Sequence, residues 1–169
     1  MDIRRTAFTD PVAQALIAEL QQEFVVRYGG PDETPLDPTV FEPPSGAFFV
    51  GWEPVDGRAS ADNEAVATGA WRWRPDVVAL GRSRAAEIKR MYVVPRAQRR
   101  GLARLMLAHL EQTAASAGAD VMVLETGLAQ PEAIALYSSS GYEPVDGFGY
   151  YRDAPMVRYF GKRLDPAGG

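Results

Sequence analysis

A glycine-containing turn between a predicted strand and a predicted helix is the feature that most constrains this sequence. Residues 87–94 are extended in character, and residues 102–117 repeat apolar side chains with a helical period. Gly101 lets the backbone approach a ligand closely, and the first turn of a helix has several N–H groups without partners inside the helix. Because such N–H groups bind anions, the turn predicts an anion-binding site.

Basic side chains surround this turn although the chain as a whole is acidic, with a net charge of -4 at pH 7. A cation opposes the positive end of a helix dipole, so an anionic ligand would explain their presence. The alternative is a charged turn that is only solvated. The basic residues of this segment are Lys89, Arg90, Arg96, Arg99, Arg100 and Arg104.

Composition limits the chemistry that the chain can support. With 46% hydrophobic and 24% charged residues, it is typical of a globular protein, and we expect one domain over residues 1–169. The absence of cysteine excludes a disulfide framework and a cysteine nucleophile, and a single histidine excludes a multi-histidine centre. We therefore expect no metal.

Charge and hydropathy also limit the expected surroundings of the protein. The negative net charge argues against nucleic-acid binding. The sequence has no apolar run of the length that a membrane helix needs and no signal-peptide layout at its start. We therefore expect a cytoplasmic protein that does not bind membranes.

The remaining pattern predicts alternating strands, helices and loops. Asp10 and Pro11 predict the start of a first helix, which Gly29 and Gly30 end near Tyr28. Strands, loops and helices then follow in order, with a short helix allowed at 37–41 and a long polar hairpin tip that contains Asp56, Gly57, Asp62 and Asn63. The predicted strands are 2–7, 47–53, 65–73, 87–94, 121–124 and 156–164; the loops are 31–45, 74–84 and 146–153; the second and third helices begin at Leu102 and Pro131, and residues 166–169 should fray.

Helical periodicity predicts which side chains face the core. In the first helix the expected stripe is Val12, Leu16, Leu20 and Phe24; in the second it is Leu102, Leu105, Met106, Leu110 and Thr113. The four-residue apolar run 121–124, ended by Glu125, Thr126 and Gly127, is typical of a buried parallel strand. Since strands and helices alternate here, we expect parallel pairing in the C-terminal half.

Gln98, Gly101 and Ala103 stand in the order Gln-x-x-Gly-x-Ala, which resembles the acyl-CoA-binding loop of the GCN5-related N-acetyltransferases (GNAT). The resemblance extends from about residue 65 to residue 164 and includes Glu87 before the loop, Ala133 and Tyr137 on the following helix, and the pair 141–142 behind it. It implies a GNAT-type α/β (α+β) fold, with a mixed, mostly antiparallel sheet of about six or seven strands flanked by helices.

The resemblance further implies which residues bind acetyl-CoA, the expected co-substrate. The backbone of the strand before the loop would pair with the pantetheine arm, and the amide of Met91 would stabilise the oxyanion. The amides of residues 99–104 would hold the pyrophosphate, and Gln130, where many relatives have asparagine, would hydrogen-bond the arm. The implied set is Met91, Tyr92, Val93, Gln98, Arg99, Arg100, Gly101, Leu102, Ala103, Arg104 and Gln130.

Two side chains are expected to carry proton transfer. An amine with a pKa of about 10.4 must lose a proton before it attacks. The resemblance implies that Glu87 is the general base, since it lies fourteen residues before Gly101, as does the general-base glutamate in the histone-modifying branch of the family. The alternatives are that Glu87 is only paired with a strand neighbour such as Arg90, or that Glu125 is the base. Tyr137 stands at the position of the general acid in the resembled family; otherwise it is a core tyrosine.

The predicted function is transfer of an acetyl group from acetyl-CoA to an amine of a small molecule or peptide by direct attack. A non-catalytic acyl-CoA-binding regulatory module and a purely structural domain are the alternatives. Asp32, Glu33 and Asp37 lie in the loop that would cover the acceptor pocket, where they would attract a cationic amine or simply be solvated. No motif identifies the acceptor, and the resemblance also allows a homodimer.

Overall fold

The computed structural model describes residues 1–55 and 63–165. Strands and helices alternate along them, and short 3-10 helices lie at Pro38–Phe41 and Pro95–Ala97. The elements are β1 (Asp2–Arg5), α1 (Pro11–Tyr28), β2 (Gly46–Pro54), β3 (Asn63–Trp73), β4 (Ala85–Val93), α2 (Leu102–Ser116), β5 (Val121–Gly127), α3 (Pro131–Ser139), β6 (Glu143–Pro144) and β7 (Val157–Arg163). Most of the predicted hairpin tip, including Asp56, Gly57 and Asp62, and the predicted fraying of 166–169 lie outside the described residues.

The strands form one seven-stranded sheet in the order β1-β2-β3-β4-β5-β7-β6. All neighbours are antiparallel except β4 and β5. The predicted mixed, mostly antiparallel sheet with flanking helices is confirmed, and so is the parallel pair in the C-terminal half. The short strand β6 was not predicted, because two residues carry no detectable period, and β5 continues through the residues expected to end it.

The parallel pairing of β4 with β5 is short. It runs from Ala85 opposite Val121 to Glu87 opposite Val123, whereas both strands continue for several residues beyond these pairs. The two strands therefore diverge towards their carboxyl ends. In an open α/β sheet, a gap at the carboxyl ends of parallel strands is a common place for ligands to bind.

A β-bulge interrupts β4 beside this gap. Tyr92 pairs with Thr68 and Lys89 pairs with Ala70, so two residues of β4, Arg90 and Met91, lie opposite the single residue Gly69. Arg90 has φ 56°, in the left-handed region that side chains other than glycine adopt rarely. A strand without a bulge alternates its side chains between the two faces; here the alternation is broken, since a bulge shifts every later side chain by one position.

The helix boundaries follow from the signals in the sequence. The Asp10 carboxylate accepts a hydrogen bond from the Val12 N–H at 2.8 Å and caps α1, as expected for an N-cap residue. Gly29 ends α1 in the left-handed conformation, with φ 80°. None of the helices in the described part of the chain combines the length and the apolar character that a membrane crossing requires.

Two residues assigned to the core stripes are exposed instead. Val12 is 36% exposed and Leu105 is 52% exposed. The buried face of α2 is centred on Met106 and Leu110 and includes Leu107 rather than Leu105. At 100° per residue, Leu105 lies about 100° from Met106 on the side away from Leu107. The apolar character of Leu105 does not by itself show whether it lies on the buried or the exposed face of α2.

Gly46, the first residue of β2, is the site of a prediction about the fold. A Cβ added there would collide with the carbonyl oxygens of Trp71 and Val40, which are backbone atoms that cannot move aside easily. We therefore expect Gly46→Ala to lower the free energy of unfolding by about 1–3 kcal/mol in urea denaturation. Gly30→Ala is the matched control, because an added Cβ there meets nothing within 4 Å. Equal stability of the two variants would contradict this packing.

Candidate active site

A cavity of about 510 Å³ opens where β4 and β5 diverge. Its walls come from the end of α1, the loop 29–33, residues 88–91 of β4, residues 124–127 of β5, one face of α3 and the segment before β7. This volume is in the range of small-molecule sites. The fold therefore presents a partly open pocket beside the extended edge of β4.

The turn before α2 leads from the end of β4 into the helix and exposes its backbone. Arg99 has φ 59° and Gly101 has φ 80°, and an added Cβ at Gly101 would meet nothing within 4 Å. The first N–H to donate inside the helix is that of Leu105, to Gly101 O at 3.1 Å. Within residues 1–55 and 63–165, no N–H of 99–104 donates to a backbone carbonyl. These amides are available to an anion.

Side chains hold this turn in place. The Gln98 amide group donates to Val93 O at 2.9 Å and so ties the turn to β4. Arg104 donates to Ser139 Oγ at 2.9 Å and to Ser140 Oγ at 3.0 Å, which links the start of α2 to the end of α3. Side-chain hydrogen bonds therefore hold the turn at both ends, while residues 99–101 between them are exposed.

Tyr137 is a buried residue of α3 and lies on the cavity wall. Its ring packs against Tyr142, with 5.6 Å between ring centroids. Burial raises the pKa of the Tyr137 hydroxyl well above its ordinary value. At neutral pH the group is therefore a protonated phenol that faces the pocket, which is the state required of a proton donor.

Glu87 is not on the cavity wall; it is 1% exposed and lies inside a group of cations. Its Oε2 accepts from Arg72 Nε at 2.8 Å and from Arg74 Nη1 at 2.7 Å, and its Oε1 lies 3.7 Å from Lys89 Nζ. Burial would raise the pKa of Glu87, but the charges of Lys89, Arg72 and Arg74 outweigh burial and lower it. A carboxylate with a lowered pKa is a weak base.

The partners of Glu87 differ from the pairing considered in the sequence. Arg90, the neighbour expected to pair with Glu87, instead donates from Nη1 to Asp32 Oδ2 at 2.5 Å. Glu87 and Arg90 are three positions apart, which in a regular strand places them on opposite faces. Arg90, at the bulge, lines the cavity beside Asp32. The arginines that donate to Glu87 are Arg72, which lies on β3, and Arg74, which directly follows β3.

Glu125, the alternative base, does line the cavity. Its Oε1 accepts from Lys89 Nζ at 2.8 Å. Lys89 lies between Glu125 and Glu87 and is itself 5% exposed. A buried ammonium between two carboxylates is an arrangement in which each charge compensates the others.

The acidic loop after α1 divides into two parts. Asp32 and Glu33 lie on the cavity wall, whereas Asp37 caps the short helix that follows it, accepting from the Thr39 N–H at 2.9 Å. Asp32 also accepts from the N–H and hydroxyl of Thr34, at 2.9 and 2.6 Å. Asp32 is therefore an anchor of the loop.

The other predicted site residues also form two groups, one on the cavity wall and one outside it. Met91 and Gln130 line the cavity together with Tyr137, whereas Tyr92 and Val93 continue β4 beyond it and are buried. The Tyr92 hydroxyl donates to Glu19 at 3.2 Å. The turn at 98–104 is not part of the cavity wall. The predicted residues thus occupy two places, connected by the end of β4.

Tyr28 is a wall residue that the sequence did not identify as part of a site. Its hydroxyl donates to Gln130 Oε1 at 3.2 Å, and its ring covers Gly127, where an added Cβ would collide with the hydroxyl. Tyr151 closes the same region, since its hydroxyl accepts from the Glu33 N–H at 2.9 Å. The only available signal for Tyr28 was its position as the last residue of a helix.

Comparison with known proteins gives a match to the model of the acetyltransferase (GNAT) family over residues 13–142. The chain belongs to this family. The match covers the turn before α2, both strands that border the cavity and α3. The resemblance seen in Gln98, Gly101 and Ala103 is therefore confirmed at the level of the family.

Individual relatives agree with this membership. An IAA acetyltransferase of Azospirillum brasilense is 37% identical over 78 residues, which is 46% of this chain and 51% of the relative. The chain thus matches about half the length of this relative. A protein of Klebsiella pneumoniae assigned as an acyl-CoA N-acyltransferase is 29% identical, with a TM-score of 0.72 and 97% of each chain covered.

A GNAT acetyltransferase of Elizabethkingia anophelis, whose crystal structure has acetyl-CoA bound, is 16% identical with a TM-score of 0.61. The alignment covers 96% of this chain and 97% of that chain. At this identity, the likeness concerns the fold alone. It shows that the GNAT fold extends over nearly the whole of this chain.

The lowered pKa of the Asp32 carboxyl predicts a pH-dependent contribution to stability. Burial would raise the pKa of Asp32, but Lys89 and the hydrogen bonds of Thr34 lower it from 3.8 to about 2. A lowered folded-state pKa stabilises the protein above pH 3.8, and this contribution is lost as the pH falls through about 2. We expect Asp32→Asn to be less stable at neutral pH by about 1–2 kcal/mol.

The difference between wild type and Asp32→Asn should shrink as the pH falls from about 4 to about 2, measured as the free energy of unfolding at each pH. Asp2→Asn, which changes an exposed carboxylate, is the control for loss of charge alone. A difference that stays constant over this range would show that the Asp32 carboxylate contributes nothing as an anion.

Proposed function

We propose that this chain transfers the acetyl group of acetyl-CoA to a primary amine of a small molecule or peptide. One observation carries the proposal: amides before α2 that have no backbone partner among the described residues, and a cavity lined by Tyr137, both adjoin the part of β4 that is not paired with β5. An acyl donor with an anionic diphosphate and an extended arm fits this arrangement. Family membership and the acyltransferase names of the two relatives support it.

The residues proposed to hold acetyl-CoA suit its chemistry. Amides of residues 99–104 at the start of a helix favour a diphosphate, both through hydrogen bonds and through the helix dipole. The edge of β4 that faces the gap, at Met91, Tyr92 and Val93, is not paired with β5, which suits the amide groups of a pantetheine arm. Gln130 at the start of α3 adds a side-chain amide on the cavity wall.

The amine must lose a proton to react, and this costs about 4–5 kcal/mol at pH 7 for an ordinary primary amine. Of the two carboxylates considered as the base, Glu125 is favoured, because it lines the cavity whereas Glu87 is enclosed by arginines. In this proposal Glu87 positions Lys89, and Lys89 in turn positions Glu125. Glu87 is then a positioning residue.

In the reaction, Glu125 first accepts the proton that the ammonium group loses, and the amine nitrogen then attacks the thioester carbonyl carbon, so that a C–N bond forms and the C–S bond breaks. The Tyr137 hydroxyl gives its proton to the departing sulfur, and the second proton lost by the nitrogen restores this hydroxyl. The amide of Met91 is proposed to stabilise the negative charge that develops on the carbonyl oxygen. No covalent bond to the enzyme is needed.

Gly101→Asp tests the binding of acetyl-CoA. The substitution places a negative charge and a side chain on the anion-binding turn, so we expect the stabilisation by acetyl-CoA in a thermal-shift assay to be lost; a ligand at 100 times its dissociation constant adds about 2.7 kcal/mol to wild type. Gly81→Asp is the matched control, because Gly81 also has positive φ, 74°, and open space around it. Retained protection in Gly101→Asp would place the donor elsewhere.

Tyr137→Phe tests the proton donor. Removing the hydroxyl should lower kcat by about 100-fold, since general acid catalysis contributes on this scale, while the calorimetric affinity for acetyl-CoA stays unchanged. Tyr150→Phe removes a hydroxyl from an exposed residue outside the cavity and is the control. Unchanged kcat in Tyr137→Phe would remove this role from Tyr137.

A further inference from the structure

The charged side chains of the cavity wall, at the site of the proposed acetyl transfer, are not balanced. They are Asp32, Glu33, Lys89, Arg90 and Glu125. Three carboxylates against two cations leave one negative charge over. The charges directly behind them, Glu87 and Asp76 with Arg72 and Arg74, are equal in number and contact one another. The excess negative charge therefore belongs to the cavity itself.

Both cations of the wall are already neutralised by carboxylates of the chain. Lys89 Nζ contacts Glu125 at 2.8 Å, and its side chain is 5% exposed. Arg90 Nη1 contacts Asp32 at 2.5 Å, and its side chain is 7% exposed. The Nε–H of Arg90 has no hydrogen-bond partner among the described residues. The charge of each cation is nevertheless already compensated, so a further anionic group beside either of them would add an uncompensated negative charge to the pocket.

Glu33 is the carboxylate without a compensating cation. It is exposed at the rim and forms no ion pair with any other residue that the structure describes. Its backbone N–H is fixed by the Tyr151 hydroxyl at 2.9 Å, so the residue is held at the mouth of the cavity. An ammonium group that enters past Glu33 meets a favourable charge, whereas a carboxylate meets an unfavourable one.

Aromatic side chains form the adjoining part of the wall. Phe24 and Tyr28 lie on the last turns of α1 with 6.2 Å between ring centroids, and Tyr151 lines the same cavity. Flat apolar surfaces of this kind bury the apolar body of a ligand, and their faces attract a cation. Together with the excess negative charge, they favour a cation joined to an apolar group.

We infer that the acceptor is a primary amine with an apolar body and no carboxylate, a class that excludes free amino acids. The inference rests on the proposed acetyl transfer and specifies its acceptor. Specificity here comes mainly from repulsion: both cations of the pocket already contact a carboxylate, and one negative charge of the wall is uncompensated. The apolar body is selected by the aromatic wall.

Matched compounds that differ only in one charged group test this inference. The acceptors are tryptamine with tryptophan and 2-phenylethylamine with phenylalanine, each supplied to the full chain with saturating acetyl-CoA, and thiol release is measured. We expect kcat/KM to be at least about ten-fold higher for each amine than for its amino acid. Phenylalaninamide, which replaces the carboxylate by an uncharged group of similar size, should be used nearly as well as the amine.

Equal or better use of the amino acids would overturn the inference while leaving acetyl transfer intact. Rejection of phenylalaninamide together with phenylalanine would also overturn it, since bulk rather than charge would then decide. If no compound of the set is acetylated, the inference fails as well. In that case, a thermal-shift assay of the same protein with acetyl-CoA shows whether the donor binds. If acetyl-CoA does not stabilise the protein, the proposed function is wrong as well.

Glu33 variants identify the residue responsible. Glu33→Gln should raise KM for tryptamine by about five-fold with little change in kcat, because the carboxylate acts on entry rather than on the reacting atoms. Glu33→Lys should lower the ratio of kcat/KM for tryptamine to kcat/KM for tryptophan by about ten-fold or more. Glu42→Gln, an exposed carboxylate of the same loop outside the cavity, should match wild type. An unchanged preference in Glu33→Lys would contradict the assignment.

Discussion

The short parallel pairing between β4 and β5 is the constraint on which the rest of the site depends. Backbone hydrogen bonds join the strands only from Ala85 opposite Val121 to Glu87 opposite Val123. Buried strands that separate would normally leave costly unpaired backbone groups. Here the separation forms the cavity and leaves one edge of β4 open towards the turn before α2. The bulge at Arg90 lies at the same level and turns charged side chains towards the gap.

Charged residues inside the sheet follow from this separation. Glu87, Lys89 and Glu125 form a chain of contacts from β4 to β5, at the level where the hydrogen bonds between the strands end. Buried ion pairs of this kind contribute little net stability, since desolvation opposes their attraction, but the loss of one partner is costly. Their effect is to fix positions, and here they fix the carboxylate that faces the cavity.

The sequence predicted those features that depend on neighbouring residues, and failed for those that depend on distant ones. Caps at Asp10 and Gly29, the turn at Gly101 and the residue order around Tyr137 are local signals, and the elements that they predict are present. The partners of Glu87 depend on the pairing of β3 with β4, which places Arg72 opposite Glu87. Likewise, nothing near Tyr28 in the chain indicates that it would pack on Gly127.

The packing of Tyr28 over Gly127 has a consequence for how this part of the chain can change. The two residues belong to different elements and share one small volume, so any side chain at 127 would overlap the tyrosine ring. Substitutions at the two positions are therefore not independent. A larger residue at 127 requires the Tyr28 side chain to move away or to be replaced, and either change alters the shape of the pocket.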